Sequence, residues 1–335
     1  LRLVGDYDVL IVRSSTDVNS ELISAGRNLK IIGRAGAGVD NIDVEAATRR
    51  GIIVMNTPGG NTVSTAEHTM SLLLSLSRNI PQANESLKSG KWDRKKFIGT
   101  ELHGKTIGII GLGKVGREVA TRCQAFGLKT IGFDPLLSLE VASRSNIELV
   151  NLNKLYERSD FITVHTPLND ETRGLISDKE IQACKPGVRI INCARGGIVD
   201  EQALLRGLES GKVAGAALDV FVTEPPEQNP LLKHPKVVAT PHLGASTEEA
   251  QEKVARQIAV QIADAVKERG VAGAVNAEAI QLAMKKELRP FVSLAEKLGS
   301  LQAQLMRGQL QRITVTCSGA FVAQASELIT ASVLK

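Results

Sequence analysis

A glycine-rich stretch, Gly111-Leu-Gly113-Lys-Val-Gly116, has residue types and a spacing that could do chemistry. It follows a run of mostly β-branched residues and precedes apolar residues three to four positions apart, which predicts a strand, a turn and a helix. In such a turn the first glycine permits a tight bend, the second admits a pyrophosphate and the third lets the helix pack on the strand. The helix N-terminus then offers free N–H groups and a positive dipole end to the phosphates.

Asp134 strengthens this prediction, because it ends the next apolar run, 18 residues after Gly116. An acid in this position hydrogen-bonds the ribose hydroxyls of a dinucleotide and repels a 2′-phosphate, so the pattern favours NAD over NADP. The alternative is a tight turn followed by a solvated aspartate. The order of strand, glycines, helix, strand and acid argues against that alternative.

A nicotinamide site also needs a group that moves the proton of the substrate hydroxyl, and histidine is the usual one near neutral pH. Among the five histidines, His242 stands at a predicted strand end before a Gly-Ala-Ser loop, although an ordinary loop histidine would look similar. His68 is predicted to pack within a helix, and His165 stays ambiguous. Glu224 could hold the imidazole in one tautomer, unless it is a surface acid before two prolines. Arg195 could bind a carboxylate through two hydrogen bonds, or form a surface ion pair.

The composition restricts the class of protein. The 335 residues suffice for two domains, and the aromatic content of 3% predicts an aliphatic core of the kind found in parallel sheets. The four cysteines lack paired spacing, which predicts reduced thiols in a cytoplasmic protein and no metal site. A formal net charge of +5 without a long basic run argues against nucleic acid as a partner and suits an anionic small molecule. No stretch predicts a membrane span or a signal peptide.

Alternating strand and helix signals predict the elements that position these residues. Residues up to about 58 read as a parallel βαβαβ unit, and a second alternation begins near residue 102. The strands of this second unit end close to Thr166, Arg195, Asp219 and His242. Because ligands of open parallel sheets bind at the carboxyl ends of the strands, these residues are expected along one edge.

Helix signals connect the two alternating segments. Ser64-Thr-Ala-Glu67 predicts a capping box, and the leucines that follow predict burial against a second lobe or subunit. Asp43 is predicted to cap a helix of the first unit. Thr247 is predicted to cap a long helix that returns the chain to the first lobe. A further helix is predicted from Lys286 to about Met306, followed by a strand at Gln311–Thr316.

Motifs spread along the chain resemble those of the D-isomer-specific 2-hydroxyacid dehydrogenases. The resemblance covers roughly residues 8 to 276, and the basic stretch Trp92–Leu102 and the tail from Ala283 resemble the branch that acts on a phosphorylated substrate. The matching segments are Gly33–Asn41, Asn56–Asn61, the Gly111 loop, Asn192–Gly197, Ala217–Phe221 and Thr240–Ala245. The resemblance implies an α/β fold of two doubly wound parallel-sheet lobes, with a Rossmann cofactor domain inserted in a flavodoxin-like substrate domain.

The same resemblance sets the predicted domain boundaries. Residues 1–58 are expected to form the first part of the substrate domain, with the family's first strand preceding residue 1. Residues 59–253 are expected to form the NAD-binding domain, and residues 254–276 to return to the substrate domain. Residues 277–335 would begin a C-terminal domain that continues past the end of this sequence.

The resemblance also implies individual roles, with NAD as cofactor and no metal. Arg195, Glu224 and His242 match the family's catalytic residues. His242 would take the hydroxyl proton, Glu224 would stabilise its imidazolium, and Arg195 would hold the carboxylate and the forming carbonyl. The expected cofactor contacts are Gly111, Gly113, Lys114, Val115, Gly116, Asp134, Thr166, Pro167, Cys193, Ala194, Asp219, Gly244 and Ala245. The expected substrate contacts are Arg13, Arg34, Asn61 and Arg94.

Two other functions compete with this one. The first is another dehydrogenase of the family, such as a glyoxylate/hydroxypyruvate reductase; the cluster Arg94-Lys-Lys96 favours a phosphorylated substrate unless it is a solvated basic loop. The second is a non-enzymatic, NAD-sensing corepressor built on the same fold, which the fold alone does not exclude. The expected partners are a small-molecule substrate and further copies of the chain, as a homodimer or homotetramer, with Arg94 contributing across a dimer.

Overall fold

The computed structural model describes residues 3–276, 289–305, 313–319, 326, 329, 330 and 333. The chain divides into two units, one of Leu1–Gly60 with Gln251–Lys335 and one of Asn61–Ala250. The second unit is therefore inserted into the first. The boundaries predicted after residues 58 and 253 lie within three residues of these divisions, and the separate domain expected from residue 277 stays a prediction.

Helices and strands alternate through most of the described chain. The strands are β1 (Val9–Val12), β2 (Ile31–Arg34), β3 (Ile53–Met55), β4 (Thr106–Ile110), β5 (Lys129–Phe133), β6 (Glu148–Leu149), β7 (Phe161–Val164), β8 (Val188–Asn192), β9 (Val213–Leu218) and β10 (Val237–Ala239). The α-helices are α1 (Ser20–Ala25), α2 (Val44–Arg49), α3 (Thr62–Arg78), α4 (Ile80–Lys88), α5 (Lys114–Ala125), α6 (Leu139–Arg144), α7 (Leu152–Arg158), α8 (Asp178–Ala183), α9 (Glu201–Glu209), α10 (Glu248–Val266) and α11 (Arg289–Leu305). Short 3₁₀-helices lie at Val4–Asp6, Arg94–Phe97 and Pro230–Lys233. None of the helices in the described ranges is long and apolar enough to span a bilayer.

The first unit contains a parallel sheet in the order β1-β2-β3. Successive residues of β2 enter different cores, because side chains alternate across a strand. Ile32 packs in the core beside α1 and α2, whereas Ile31 packs with Ile258 and Ile262 of α10. A Cβ added to Gly33 would lie 2.5 Å from Cδ1 of Ile262, so α10 passes very close to the sheet. Helices thus cover both faces, as the doubly wound prediction requires.

The second unit contains a seven-stranded parallel sheet in the order β10-β9-β8-β7-β4-β5-β6. The chain proceeds from β4 outward to β6 and then returns to β7 on the other side, so β4 and β7 form the switch point where ligands of such sheets bind. This is the strand order of a Rossmann fold and confirms the predicted fold class. The sequence analysis missed only the short edge strand β6 in this sheet.

Two apolar cores, one on each face, hold the second sheet. Ile107 and Ile109 of β4 pack against α3 and α5, and Ile110 points into the opposite core. Leu72 and Leu73 of α3 are buried against this same sheet. The expectation that the leucines of this helix pack on a second lobe or subunit is therefore wrong for these two, because their own unit buries them.

Two of the three helix caps predicted from the sequence, at Asp43 and Thr247, are confirmed, and the one at Ser64 is wrong. Asp43 accepts the Ala46 N–H at 2.8 Å, as predicted, and Thr247 Oγ1 accepts the Ala250 N–H at 3.2 Å. The capping box at Ser64 is wrong, because α3 begins at Thr62 and the Ser64 hydroxyl serves a distant loop described below. Of the strand predicted at Gln311–Thr316, residues 313–316 are described and are not in a strand, while 311 and 312 lie outside the described residues.

Candidate active site

The glycine turn joins β4 to α5 and has the shape that a pyrophosphate needs. Gly111 has a φ of +88°, and a Cβ there would lie 2.7 Å from the carbonyl oxygen of His165. A Cβ on Gly116 would collide with the Gly111 carbonyl oxygen, so α5 packs directly on the turn. A Cβ on Gly113, in contrast, would meet no atom within 4 Å in the described chain. The second glycine therefore faces open space, so no side chain at this position stands between an approaching anion and the N-terminus of α5.

Asp134 lies at the end of β5 and reaches back to this turn. Its Oδ2 accepts the Leu112 N–H at 2.8 Å, and its Oδ1 accepts the Leu136 N–H at 2.9 Å. These bonds hold the carboxylate beside the glycines, which is where the ribose of a dinucleotide would lie. The geometry fits the acid that the sequence analysis expected there.

His165 and Thr166 follow β7, next to the glycine turn. His165 Nδ1 and Thr166 Oγ1 are buried and have no hydrogen-bond partner within the described part of the chain, while His165 Nε2 lies 3.0 Å from Thr163 Oγ1. Burial lowers the pKa of His165 to about 4, so the imidazole is neutral at pH 7. Unpaired buried polar atoms are costly, and a bound ligand would satisfy them. These orphaned atoms at the switch point fit a cofactor with polar groups; Pro167, the next residue, is exposed.

The turn that carries Arg195 is held by Asn192, the last residue of β8. Asn192 is 2% exposed; its Oδ1 accepts the Ala194 N–H at 3.0 Å and its Nδ2 donates to the Arg195 carbonyl at 2.8 Å. Arg195 Nη1 also donates to the Ala194 carbonyl at 2.7 Å. Cys193 points into the core, and burial raises the pKa of its thiol to about 12. Any cofactor contact by Cys193 is therefore expected from its main chain.

His242 and Glu224 are directly paired. His242 Nδ1 lies 2.7 Å from Glu224 Oε2, and Glu224 Oε1 accepts the Phe221 N–H at 3.0 Å. With Nδ1–H donating to a carboxylate, the lone pair of the imidazole is on Nε2. The side chains are 48% and 37% exposed, so a small molecule could reach them. The two residues that the sequence analysis expected as base and orienting acid are therefore in hydrogen-bonding contact, and their catalytic roles stay predictions.

Asp219 organises the loop that follows β10. Its side chain is 1% exposed and accepts hydrogen bonds from the Thr240 hydroxyl at 2.6 Å, the Leu243 N–H at 2.7 Å and the Gly244 N–H at 2.8 Å. Burial alone would raise the pKa of Asp219, but hydrogen bonds, first that from His68, lower it below its usual range. The carboxylate thus stays charged and is occupied by groups of its own chain. Its cofactor contact stays a prediction.

Helix α3 supports the same loop, which the sequence analysis did not foresee. His68 Nε2 lies 3.1 Å from Asp219 Oδ1 and 3.0 Å from Thr240 Oγ1. His68 therefore belongs to a polar network, whereas the sequence analysis predicted only that it packs within the helix. The Ser64 hydroxyl donates to the Gly244 carbonyl at 2.6 Å. Gly244 is buried by these contacts, and Ala245 beside it is exposed.

The strand order brings these groups to one edge of the second unit. Because all seven strands are parallel and β10, β9, β8, β7 and β4 are consecutive neighbours, their carboxyl ends lie side by side. These ends carry, in that order, His242, Glu224, Arg195, Thr166 and Gly111. Within the described chain no three His, Cys, Asp or Glu side chains are grouped so that they could hold a metal ion.

The expected substrate contacts are distributed over both units. Arg13 follows β1 and is exposed, with its carbonyl accepting the Asn41 Nδ2 at 2.9 Å, and Arg34 ends β2 and is half-buried. Asn61 immediately precedes α3, and Arg94 begins the 3₁₀-helix Arg94–Phe97 on the exposed surface of the second unit. Their roles toward a substrate stay predictions.

Two family models match the chain. Residues 70–244 match the model described as D-isomer specific 2-hydroxyacid dehydrogenase, NAD binding domain. Residues 287–335 match the model described as D-3-phosphoglycerate dehydrogenase intervening domain.

Named relatives agree with these models. The D-3-phosphoglycerate dehydrogenase of Sus scrofa is 54% identical over 312 residues, which are 92% of this chain and 58% of that protein. The D-3-phosphoglycerate dehydrogenase of Archaeoglobus fulgidus is 50% identical and is aligned over 100% of this chain and 64% of its own. The chain thus spans less than two thirds of these relatives. A crystal structure of a glyoxylate reductase from Paecilomyes thermophila has a TM-score of 0.74 and 35% identity, covering 81% of this chain and 85% of that one.

Proposed function

Because the chain belongs to the D-isomer-specific 2-hydroxyacid dehydrogenase family, we propose that it oxidises 3-phospho-D-glycerate to 3-phosphohydroxypyruvate with NAD. This reaction would be the first step of the phosphorylated route to serine. The observation that carries the proposal is the 2.7 Å contact between His242 and Glu224, at the same sheet edge as the glycine turn. An imidazole oriented by a carboxylate is the group that moves a hydroxyl proton near neutral pH.

The glycine turn, Asp134 and Thr166 would hold NAD, which accepts a hydride when bound. The first-turn N–H groups of α5, including those of Lys114 and Val115, would face its pyrophosphate. Asp134 would accept hydrogen bonds from the adenosine ribose and repel a 2′-phosphate. The buried Thr166 hydroxyl would gain a partner that the described chain does not give it.

The remaining groups would act on the substrate. As C2 loses its hydride, Nε2 of His242 takes the proton of the C2 hydroxyl, and Glu224 stabilises the imidazolium through Nδ1–H. Arg195 binds the substrate carboxylate and polarises the carbonyl that forms at C2. Running in reverse, the same imidazolium returns the proton to the alcohol oxygen.

Several relatives named D-3-phosphoglycerate dehydrogenase, and the match at residues 287–335, support a phosphorylated substrate. Arg94 is the candidate phosphate contact in the basic 3₁₀-helix, because a guanidinium can bind a phosphate through two hydrogen bonds, whereas Lys96 is paired with Asp93 at 2.8 Å. Arg13, Arg34 and Asn61 complete the proposed substrate contacts.

The chain would act as a homodimer or homotetramer in the cytoplasm. Four large apolar side chains between α3 and β4 are more than half exposed, which favours burial by a second copy: Ile80, Leu87, Trp92 and Ile98. The described cysteines are all free, as expected for a reducing compartment. Light scattering of the wild-type chain and of Trp92→Ser tests the association, which should weaken in the variant.

NADH formation from 3-phospho-D-glycerate and from D-glycerate tests the proposed reaction. We expect much faster turnover of the phosphorylated acid, and loss of NADH formation in His242→Ala. Arg94→Ala should raise KM for 3-phospho-D-glycerate and leave KM for D-glycerate unchanged. Lys154→Ala, which breaks an exposed pair with Glu157, is the matched control. Equal turnover of the two acids contradicts the phosphorylated substrate, and a fully active His242→Ala contradicts the mechanism.

A further inference from the structure

Glu224 is carried by an exposed loop that has little apolar support of its own. The loop runs from Val222 to Asn229, between the buried Phe221 and the 3₁₀-helix Pro230–Lys233. None of its eight residues is buried: six are exposed, and Pro226 and Asn229 are half-buried. Pro225, Pro226 and the hydrogen bond from the Glu227 N–H to the Pro225 carbonyl restrict the loop internally, but an exposed loop also needs contacts with a neighbouring element to keep its position. The carboxylate of Glu224 nevertheless has to stay within hydrogen-bonding distance of His242.

Glu201, the first residue of α9, holds this loop at two points. Its Oε1 accepts the Val222 N–H at 2.7 Å, and its Oε2 accepts a hydrogen bond from Asn229 Nδ2 at 2.7 Å. The two contacts stand on either side of Glu224 in the sequence, so one carboxylate closes the loop across its base. Hydrogen bonds to an ionised acceptor are stronger than neutral ones, and short distances such as these are typical of them.

The peptide between Phe221 and Val222, whose N–H donates to Glu201, also contacts the turn that carries Arg195. A Cβ on Gly196 would collide with the carbonyl of Phe221 and would lie 2.5 Å from the Val222 nitrogen. The backbone next to Arg195 is therefore pressed against the peptide that Glu201 holds. A shift of that peptide would move the acid that orients His242 and the support of the Arg195 turn together.

We propose that Glu201 is a positioning residue, which fixes the Glu224 loop so that Glu224 keeps the His242 imidazole in its Nδ1–H tautomer. The kinetic part of this inference rests on the proposed function; the tautomer part does not. Glu201 acts through Glu224 and contacts neither cofactor nor substrate in this assignment. Misplacement of a catalytic group by about 1 Å can reduce a rate by about 100-fold, so a residue that acts in this way has measurable effects.

Nitrogen-15 NMR of histidine-labelled protein tests the tautomer directly, with the His242 signal assigned by its loss in His242→Gln. Glu201→Ala removes both contacts. Glu201→Gln keeps one acceptor oxygen, and its new NH₂ group would face the Asn229 Nδ2, which is also a donor. Asn229 cannot relieve this by rotating its side-chain amide, because its Oδ1 already accepts the Leu231 N–H at 3.0 Å. Arg206→Ala is the control on the same helix, since it breaks only the exposed pair with Asp178 at 2.6 Å. We expect the Nδ1–H signature of His242 to weaken in both Glu201 variants and to persist in Arg206→Ala.

Steady-state kinetics give a second readout. We expect kcat to fall about tenfold in Glu201→Ala and less in Glu201→Gln, with KM for NAD unchanged. The loss caused by Glu201→Gln should be smaller in a Glu224→Gln background, because the part of the loss that acts through Glu224 is already present there.

An unchanged His242 spectrum in Glu201→Gln overturns the inference, and so does an equal fold loss of kcat in both backgrounds. If Glu201→Ala does not fold, Glu201→Gln decides. If the wild-type chain reduces no NAD with any 2-hydroxy acid, the proposed function fails, and the NMR result alone decides the role of Glu201.

Discussion

Glu224 joins two parts of the second unit: its Oε2 lies 2.7 Å from His242 Nδ1, while its Oε1 accepts the N–H of Phe221 at 3.0 Å. Each oxygen of the carboxylate therefore has a different partner, one in the imidazole and one in the backbone of its own loop. The backbone bond fixes the direction of the carboxylate, and the carboxylate in turn fixes the imidazole. In the neutral imidazole, an Nδ1–H that donates to Glu224 leaves the lone pair on Nε2.

Glu224→Gln should reduce kcat by about 100-fold or more, because a neutral amide neither stabilises the imidazolium nor accepts from both partners at once. KM for NAD should change little, since the glycine turn is untouched. NADH formation under saturating substrate measures the effect. Glu227→Gln, which changes an exposed acid of the same loop, serves as control. A Glu224→Gln protein with nearly wild-type kcat would remove the acid from the mechanism.

Alanine at two positions of the glycine turn should separate folding from cofactor binding. Gly116→Ala places a methyl group against the Gly111 carbonyl and should destabilise the fold by about 1–3 kcal/mol, because backbone cannot yield as a side chain does. Gly113→Ala meets only open space, so its loss of stability should be smaller than that of Gly116→Ala and limited to the cost of alanine at a helix N-cap, about 0.5–1 kcal/mol. The same methyl group would occupy the approach of a pyrophosphate, and NAD affinity should fall by about tenfold or more.

Calorimetry of unfolding and titration with NAD measure the two properties for each variant. Equal NAD affinity of Gly113→Ala and wild type would show that no pyrophosphate approaches this glycine. Full stability of Gly116→Ala would show that α5 can move away from the turn.

Sequence patterns predicted the strands well because each strand is a short apolar run, and the residues that end it are its neighbours in the sequence. Every strand of the second sheet except the two-residue β6 was placed within a few residues, and the glycines, Asp134, Glu224 and His242 were identified by their position after strands. The supporting residues were harder to identify. His68 and Asp219 are 151 positions apart, and Ser64 and Gly244 are 180 apart, so no local pattern links them.

Ser64 shows how such distant contacts override a local motif. Ser-x-x-Glu is a sound capping signal, yet the N-cap of α3 is Asn61, three residues before Ser64, and the Ser64 hydroxyl donates to the Gly244 carbonyl in the loop that carries His242. Asn192 and Glu201 were also missed. An asparagine at a strand end and a glutamate at a helix start have ordinary local explanations, and only the folded chain shows which backbone groups they hold.

The buried cysteines should resist alkylation in the folded protein. Burial raises the pKa of Cys123, Cys184 and Cys193 to about 12, so almost no thiolate is present at neutral pH. Cys317 is only half-buried and should react first with iodoacetamide at pH 7.5. Mass spectrometry of peptides after a timed reaction measures each site, and a urea-unfolded sample provides the fully reactive reference. Rapid labelling of Cys193 in the folded chain would contradict its placement in the core.

His165 should make stability depend on pH between about 4 and 6.5. Its pKa is lowered by burial from 6.5 to about 4, so in this range the unfolded chain binds a proton that the folded chain does not. Above pH 6.5 the buried neutral imidazole does not reduce the free energy of unfolding. As the pH falls from 6.5 to about 4, the free energy of unfolding decreases by up to about 3 kcal/mol, because only the unfolded chain gains the proton. Urea unfolding at a series of pH values should show a shallower loss over this range in His165→Gln than in the wild type.

Thr163→Val is the matched control, because it removes the partner of Nε2 at 3.0 Å and keeps the imidazole buried, so the slope should persist. Parallel stability curves for wild type and His165→Gln would mean that the imidazole takes up its proton without unfolding, and that the switch point between β4 and β7 is open to water.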